Sequence, residues 1–266
     1  MKDLQISFIQ SMLFWENPEE NLRMFSAKTE ALQDNTDLII LPEMFSTGFS
    51  MNPARFAQSM DGPSVSWMRE TAGKKKCVLT GSLIISEKGN YYNRLIWAGP
   101  DGSIQTYDKR HLFRFGNEHE QYTSGSAKCI FEVKGWKIAP FICYDLRFPV
   151  WSRNRWKTQG ITLQADYDLA IYVANWPERR SLPWKTLLAA RAMENQAYVV
   201  GVNRTGTDGT GLVYGGDSAV HNYKGELLSK PNACLECIET ITLSYPELLE
   251  FRQSFPVGLD ADEFSL

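Results

Sequence analysis

The chain has 266 residues, a formal net charge of −3, 43% hydrophobic residues and 22% charged ones. These proportions exclude the disordered and fibrous classes and allow one α/β domain with a substantial core over residues 1–266, with 254–266 as a C-terminal tail. No clustered basic face is present to neutralise phosphates, so no nucleic-acid partner is expected, and the run Lys74, Lys75, Lys76 reads as a solvated helix end.

Leu4 to Gln10 alternates weakly and predicts a first strand. Asn17-Pro18-Glu19-Glu20 supplies an N-cap, a proline at the first helical position and a capping-box glutamate. Leu22, Phe25, Thr29 and Leu32 then recur at helical spacing until Asp34-Asn35 ends the helix. Asp37 to Leu41 is a short apolar run of the kind covered on both faces of a sheet. Pro63 to Lys75 predicts a second helix, and 77–86, 91–99 and 103–108 predict three strands of a meander, separated by Gly-Asn and Pro-Asp-Gly turns. Phe131–Val133 and Trp136–Ile142 form a hairpin around Lys134-Gly135, and a helix follows from about Pro149 to Lys157. Asp168 to Ala174 is a buried strand, Leu182 to Gln196 a helix with Trp184, Leu187, Leu188 and Ala192 on one face, and Ala197 to Asn203 a further strand. From Leu212 to Ile241 short strands and Gly turns dominate, and the tail from Ser254 has no periodicity. Interleaved helices and strands argue for stacked sheets covered by helices.

Five scattered cysteines (Cys77, Cys129, Cys143, Cys234, Cys237) do not form the dense even set of a small secreted domain and fit a reducing cytoplasm. The apolar N-terminus is too short for a signal peptide, and no run approaches a membrane span. Cys234 and Cys237 resemble half a zinc knuckle without a second pair of ligands, so no metal is expected.

Glu43, Lys109 and Cys143 each lie just beyond an apolar strand, where a rigid sheet holds side chains at a crevice. Hydrolysing an amide needs a strong nucleophile, a proton donor for the departing amine and a charge to stabilise the tetrahedral oxyanion, and these three residue types supply them. A cation near the thiol is expected to lower its pKa, and a carboxylate to take its proton and hand it on. A papain-like alternative makes His111 or His119 the base for Cys143.

Leu41-Pro42-Glu43-Met44-Phe45, Tyr107-Asp108-Lys109-Arg110-His111-Leu112-Phe113 and Cys143-Tyr144-Asp145-Leu146-Arg147-Phe148-Pro149 resemble the three catalytic motifs of the nitrilase superfamily, in that family's order. The likeness runs from the first strand to about residue 230 and includes Ala174-Asn175-Trp176-Pro177, the segment Ala190 to Gln196, and Gly201-Val202-Asn203-Arg204. Within the superfamily the chain most resembles the ω-amidases. The resemblance implies an α-β-β-α sandwich of two stacked mixed sheets with helices outside, commonly dimerised through the helical layer near the nucleophile. It implies hydrolysis of a small-molecule amide, the ω-amide of a 2-oxo dicarboxylic acid monoamide such as 2-oxoglutaramate or 2-oxosuccinamate. Glu43 is then the general base, Cys143 forms the thioester, and Lys109 with the Tyr144 backbone N–H holds the oxyanion; no cofactor is implied. Many members carry a second glutamate, assigned here to Glu118, with Glu120 left open. A small acid amide, the substrate class that the resemblance implies, needs one cationic or N–H-rich contact for its carboxylate, which Arg147 or Arg180 can supply as a bidentate pair, with Phe45, Phe115, Tyr144 and Trp176 narrowing the pocket. An aliphatic amidase, a nitrilase, an N-carbamoyl amine hydrolase or a catalytically silent module are the alternatives.

Overall fold

Apolar residues on both sides of the central strands dictate sheets buried on two faces. In β1 (Leu4–Gln10), Leu4, Ile6 and Phe8 belong to the core shared by the two sheets, whereas Ile9 joins the core under the helices. β2 (Leu38–Ile40) repeats this, with Leu38 and Ile40 on the first side and Ile39 on the second. The computed structural model describes residues 2–32, 35–159 and 162–262.

Between these strands runs α1 (Pro18–Glu30). Asn17 caps it by accepting the Glu20 N–H at 3.2 Å, a contact worth about 1 kcal/mol. The expected reciprocal arm of the capping box is absent, because the Glu20 carboxylate pairs with Arg23 and the Asn17 N–H donates to the Phe14 carbonyl. Phe25 and Thr29 are buried as expected; Asp34 lies outside the described residues. A short helix, α2 (Pro53–Phe56), precedes α3 (Pro63–Lys75), which packs Val65, Met68 and Ala72 on the outer face of the first sheet. The meander is β3 (Val78–Glu87), β4 (Asn90–Ala98) and β5 (Ile104–Asp108), each pair antiparallel.

A one-turn helix, α4 (Glu118–Gln121), leads to the hairpin β6 (Phe131–Val133) and β7 (Trp136–Ile142). A 3-10 turn over Cys143–Arg147 runs into α5 (Pro149–Ser152). The helix expected to reach Lys157 stops there. The Asn154 backbone N–H donates to Asn195 Oδ1 at 2.8 Å and its side-chain amide to the Tyr167 carbonyl at 2.9 Å, which draws the chain off into the hairpin β8 (Trp156–Gln159) and β9 (Thr162–Ala165). β10 (Leu169–Ala174), α6 (Ser181–Asn195) and β11 (Tyr198–Asn203) follow as a parallel βαβ unit, with Trp184, Leu188 and Ala192 of α6 buried. β12 (Thr205–Thr207), β13 (Val213–Gly215), β14 (Ala219–His221), β15 (Cys237–Leu243) and α7 (Tyr245–Ser254) complete the chain. The tail thus carries more order than its sequence suggested, since α7 ends at Ser254 and a 3-10 turn covers Val257–Asp260.

The first sheet has the order β15-β1-β2-β3-β4-β5 and the second β14-β11-β10-β7-β6, each mixing parallel and antiparallel pairs. One apolar core, including Phe8, Trp97, Tyr107, Phe141 and Tyr172, joins their inner faces. The architecture is therefore an α-β-β-α sandwich. Among the described residues no helix is long and apolar enough to cross a membrane.

Candidate active site

Four strand ends from the two sheets converge. Pro42, with no N–H to give, closes β2 and is followed by Glu43; Lys109 directly follows β5; Cys143 directly follows β7; Asn175 directly follows β10. Glu43, Lys109 and Glu118 are all 0% exposed. Charges removed from water this completely must satisfy one another.

They do so through a dense set of contacts. Lys109 Nζ donates to Glu43 Oε1 at 2.8 Å and reaches both Glu118 oxygens, at 3.0 and 2.9 Å. Glu43 Oε2 accepts the Asn175 backbone N–H at 2.8 Å, and the Asn175 side-chain amide returns to the Glu43 carbonyl at 2.6 Å. Glu118 Oε2 also accepts the Phe113 N–H at 2.6 Å. Asn93 Nδ2 bridges the two carboxylates, donating to Glu43 Oε1 at 2.8 Å and Glu118 Oε1 at 3.1 Å. Burial works against the Lys109 ammonium, but Glu118 and then Glu43 outweigh it and its pKa is raised. Burial likewise lifts the Glu118 carboxyl, Lys109 draws it back, Glu43 repels it, and the net direction is up.

Cys143 sits at the start of its 3-10 turn with φ of 46°, in the left-handed region that a non-glycine residue rarely adopts. Such a strained strand-to-helix corner exposes a side chain at the end of a sheet. Its frame is Asp145, fully buried, which accepts the Ile142 and His111 N–H groups, His111 Nδ1 and the Tyr107 hydroxyl at 2.8–3.0 Å. Burial, then the charge of Glu43, pushes the Cys143 thiol well above its ordinary pKa, with Lys109 pulling only partly back. This reverses the expected lowering by a nearby cation: the ammonium is already neutralised by carboxylates, and desolvation of the thiolate dominates.

Cys143 opens into a cleft of about 240 Å³. Tyr144, Phe115, Arg147, Trp176 and Arg180 all line it, whereas Phe45 does not. Phe45 faces the helices, packed between Phe25 and Trp67, because the turn at Met44 (φ 42°) sends it into the outer core. Glu118 lies in the ion cluster while Glu120 is exposed. His111 spends Nδ1 on Asp145 and stacks on Phe148 at 3.7 Å, so it is held away from a papain-like pairing. Arg147 lies over Trp176 and Arg180 over Phe113 and Phe115; among the described residues neither has a carboxylate partner, and Arg180 Nη1 is buried without an acceptor. Burial, then repulsion from Arg179 and Arg147, lowers the Arg180 pKa. Sequence reasoning missed Asn93, Asn175, Arg179 and Trp15 at this site; Asn175, within a quoted motif, was the one with a signal. Among the described residues no group of three or more His, Cys, Asp or Glu is placed to hold a metal ion.

Two stacked sheets with a cysteine, a lysine and two glutamates gathered at their strand ends define a nitrilase-type sandwich. Residues 5–248 match the carbon-nitrogen hydrolase family, and the chain belongs to that family, an amidohydrolase of the nitrilase superfamily. It is 45% identical to omega-amidase YafV of Escherichia coli (strain K12) over 266 residues, all of both chains. It is 32% identical to 2-oxoglutaramate amidase of Bacillus subtilis (strain 168) over 255 residues, 95% of each. Among solved structures, XC1258 of Xanthomonas campestris, a CN-hydrolase superfamily protein with an arsenic adduct in its active site, superposes with a TM-score of 0.96 at 46% identity over the whole of both chains. Nit3 of Saccharomyces cerevisiae, at 22% identity, shares the fold with a TM-score of 0.82 over 96% of this chain and 95% of its own.

Proposed function

We propose that this enzyme is an ω-amidase, hydrolysing the ω-amide of a small 2-oxo dicarboxylic acid monoamide such as 2-oxoglutaramate or 2-oxosuccinamate to the acid and ammonia. The observation that carries the reading is a buried thiol beside a Glu-Lys-Glu cluster, in a cleft whose Arg147 and Arg180 have no carboxylate partner among the described residues. The full-length likeness to proteins named omega-amidase supports the substrate class.

In this mechanism Cys143 is neutral at rest and gives its proton to Glu43 Oε2 as sulfur attacks the amide carbon. Negative charge developing on the carbonyl oxygen is met by Lys109 and the Tyr144 backbone N–H. Glu43 then protonates the departing nitrogen, the C–N bond breaks, and ammonia leaves a Cys143 thioester. Water, deprotonated by Glu43, attacks that carbonyl; the C–S bond breaks, the acid departs, and the proton returns to sulfur. Glu118 holds Lys109 in place. Arg147 and Arg180 take the substrate carboxylate, with Tyr144, Trp176 and Phe115 as walls.

We further infer that residues 1–266 act as one domain. Exposed Val150, Leu182 and Met193 on α5 and α6 support a homodimer through the helical layer, and five free thiols support a cytoplasmic setting.

The test is ammonia release by purified protein across 2-oxoglutaramate, 2-oxosuccinamate, glutamine, an aliphatic nitrile and an N-carbamoyl amino acid, with mass spectra of quenched reactions. Turnover of the two oxo-amides, an acyl adduct on Cys143 and an inert Cys143→Ala are expected. Inactivity on both oxo-amides removes the substrate class; full activity of Cys143→Ala removes the nucleophile.

A further inference from the structure

The ion cluster poses a problem of charge. Two carboxylates and one ammonium are fully buried side by side, and Oε1 of Glu43 and Oε1 of Glu118 meet at the same two donors, Lys109 Nζ and Asn93 Nδ2. Like charges so arranged favour capture of a proton by one of the pair. A proton on Glu43 leaves the thiol with only the Asn175 carbonyl at 4.0 Å, an acceptor that cannot take its proton as a base.

Asn93 lies on β4, outside every catalytic motif, and is fully buried. Its orientation is fixed by a relay: the Met44 N–H donates to Ser82 Oγ at 2.8 Å, so the Ser82 hydroxyl proton is free to donate to Asn93 Oδ1, also at 2.8 Å. With Oδ1 engaged, both Nδ2 protons point at the carboxylates, one to each. A flipped amide would set its oxygen against two anions. Met44 belongs to the same turn as Glu43, so the relay also ties the amide to the segment that carries the proposed base.

We propose that Asn93, oriented by Ser82, is a positioning residue that keeps both glutamates ionised and so reserves Glu43 Oε2 for the Cys143 proton. This rests on the reading of Glu43 as general base. The other titratable groups around the pair are Lys109, Cys143 and the phenols of Tyr122 and Tyr214, with Arg180 acting on Cys143 across the cleft. The phenols, whose pKa values are raised, stay neutral throughout the range tested.

The experiment is the pH profile of kcat/KM for amide hydrolysis, from pH 5 to 9, in wild type, Asn93→Ala, Ser82→Ala and Glu43→Gln. Removing the N–H pair raises the apparent pKa of the cluster, so the acid limb of Asn93→Ala is expected to move up by about one pH unit. The activity deficit then narrows as pH rises, from about tenfold at pH 6 towards about twofold at pH 9. Ser82→Ala, which frees the amide but keeps it, is expected to shift the same limb in the same direction by less. A merely structural role lowers the whole curve without moving its midpoint, and that result overturns the proposal. Should Asn93→Ala fail to fold, the midpoint of Ser82→Ala decides: unmoved, it refutes the assignment. Glu43→Gln separates the two levels, because full activity there sinks the general-base reading itself, whereas an inactive Glu43→Gln beside an unshifted Asn93→Ala sinks only the role of Asn93.

Discussion

Replacing Glu118 by Gln tests how the cluster holds its cation. In the native rotamer a glutamine can keep its oxygen where the Phe113 N–H (2.6 Å) and Lys109 Nζ (2.9 Å) need an acceptor. Its Nε2 then stands where Oε1 was, against Asn93 Nδ2 at 3.1 Å and Lys109 Nζ at 3.0 Å, donor facing donor. The flipped amide fares no better, since its Nε2 faces the Phe113 N–H and Lys109 Nζ. Two attractive contacts become repulsive, and each charge-assisted one was worth ~1.5–3 kcal/mol. Lys109 moves, and with Lys109 in its proposed role, misplacing an oxyanion-stabilising donor costs ~2.7–4 kcal/mol of barrier, or about 10²- to 10³-fold in kcat. In the proposed mechanism Arg147 and Arg180 hold the substrate carboxylate, so KM should change little. Glu118 is also the larger of the two charges that keep Lys109 protonated, so the alkaline limb of the variant should fall at lower pH than in wild type. Steady-state ammonia release from pH 6 to 10 measures all three quantities. A kcat within about threefold of wild type at pH 7 would refute the argument that Glu118 positions the cation.

Arg180→Ala and Arg147→Ala should each raise KM for 2-oxoglutaramate by about 10- to 100-fold while leaving kcat/KM for an uncharged aliphatic amide nearly unchanged; equal losses on both substrates would show that the arginines only shape the cleft. Because burial raises the Cys143 pKa, its proton stays on sulfur at neutral pH and the thiolate appears only as pH climbs. Iodoacetamide labelling of Cys143 without substrate should therefore be slow at pH 7 and accelerate above pH 9; a rate already maximal at pH 6 contradicts this. Asp145→Ala strands the Ile142 and His111 N–H groups and the Tyr107 hydroxyl in a buried corner, and urea unfolding should show a loss of about 3–5 kcal/mol. A loss below about 1 kcal/mol would mean that the corner repacks or admits water.

The strands that build the inner core were legible because their patterns are simple: β1 and the β6–β7 hairpin begin and end where the sequence placed them. α7 was not, because Leu248 and Arg252 form its buried side and Arg252 is there to pair with Asp168 at 2.6 Å. A guanidinium in the buried stripe hides the apolar period, although Ser244 and Pro246 were start signals. Motif proximity misplaced Phe45, since two residues beyond a strand end a left-handed turn decides which way a side chain faces. Asn93 lay beyond reach for a different reason. Its role depends on Ser82 one strand away and on a turn from a third segment, relations set by register that a linear reading does not contain.

The origin of the cluster explains why the site demands the whole sandwich. Glu43 and Lys109 come from the first sheet, Cys143 and Asn175 from the second. Bonds that cross between them include those of Asn175, whose backbone N–H holds Glu43 Oε2 and whose side chain holds the Glu43 carbonyl. Beneath these polar contacts the sheets meet through Tyr107, Phe141 and Tyr172, with ring centroids 6.3 and 5.0 Å apart in succession. Tyr107 also donates to Asp145, the residue that fixes the Cys143 corner. Apolar stacking of the sheets and placement of the thiol beside the carboxylate are therefore the same event: a half-assembled sandwich has neither the buried ion cluster nor a carboxylate next to the sulfur. The strain at Cys143 and the burial of like charges are tolerated because the inter-sheet core supplies the stabilisation they cost, so the proposed proton transfer from Cys143 requires the fully packed enzyme.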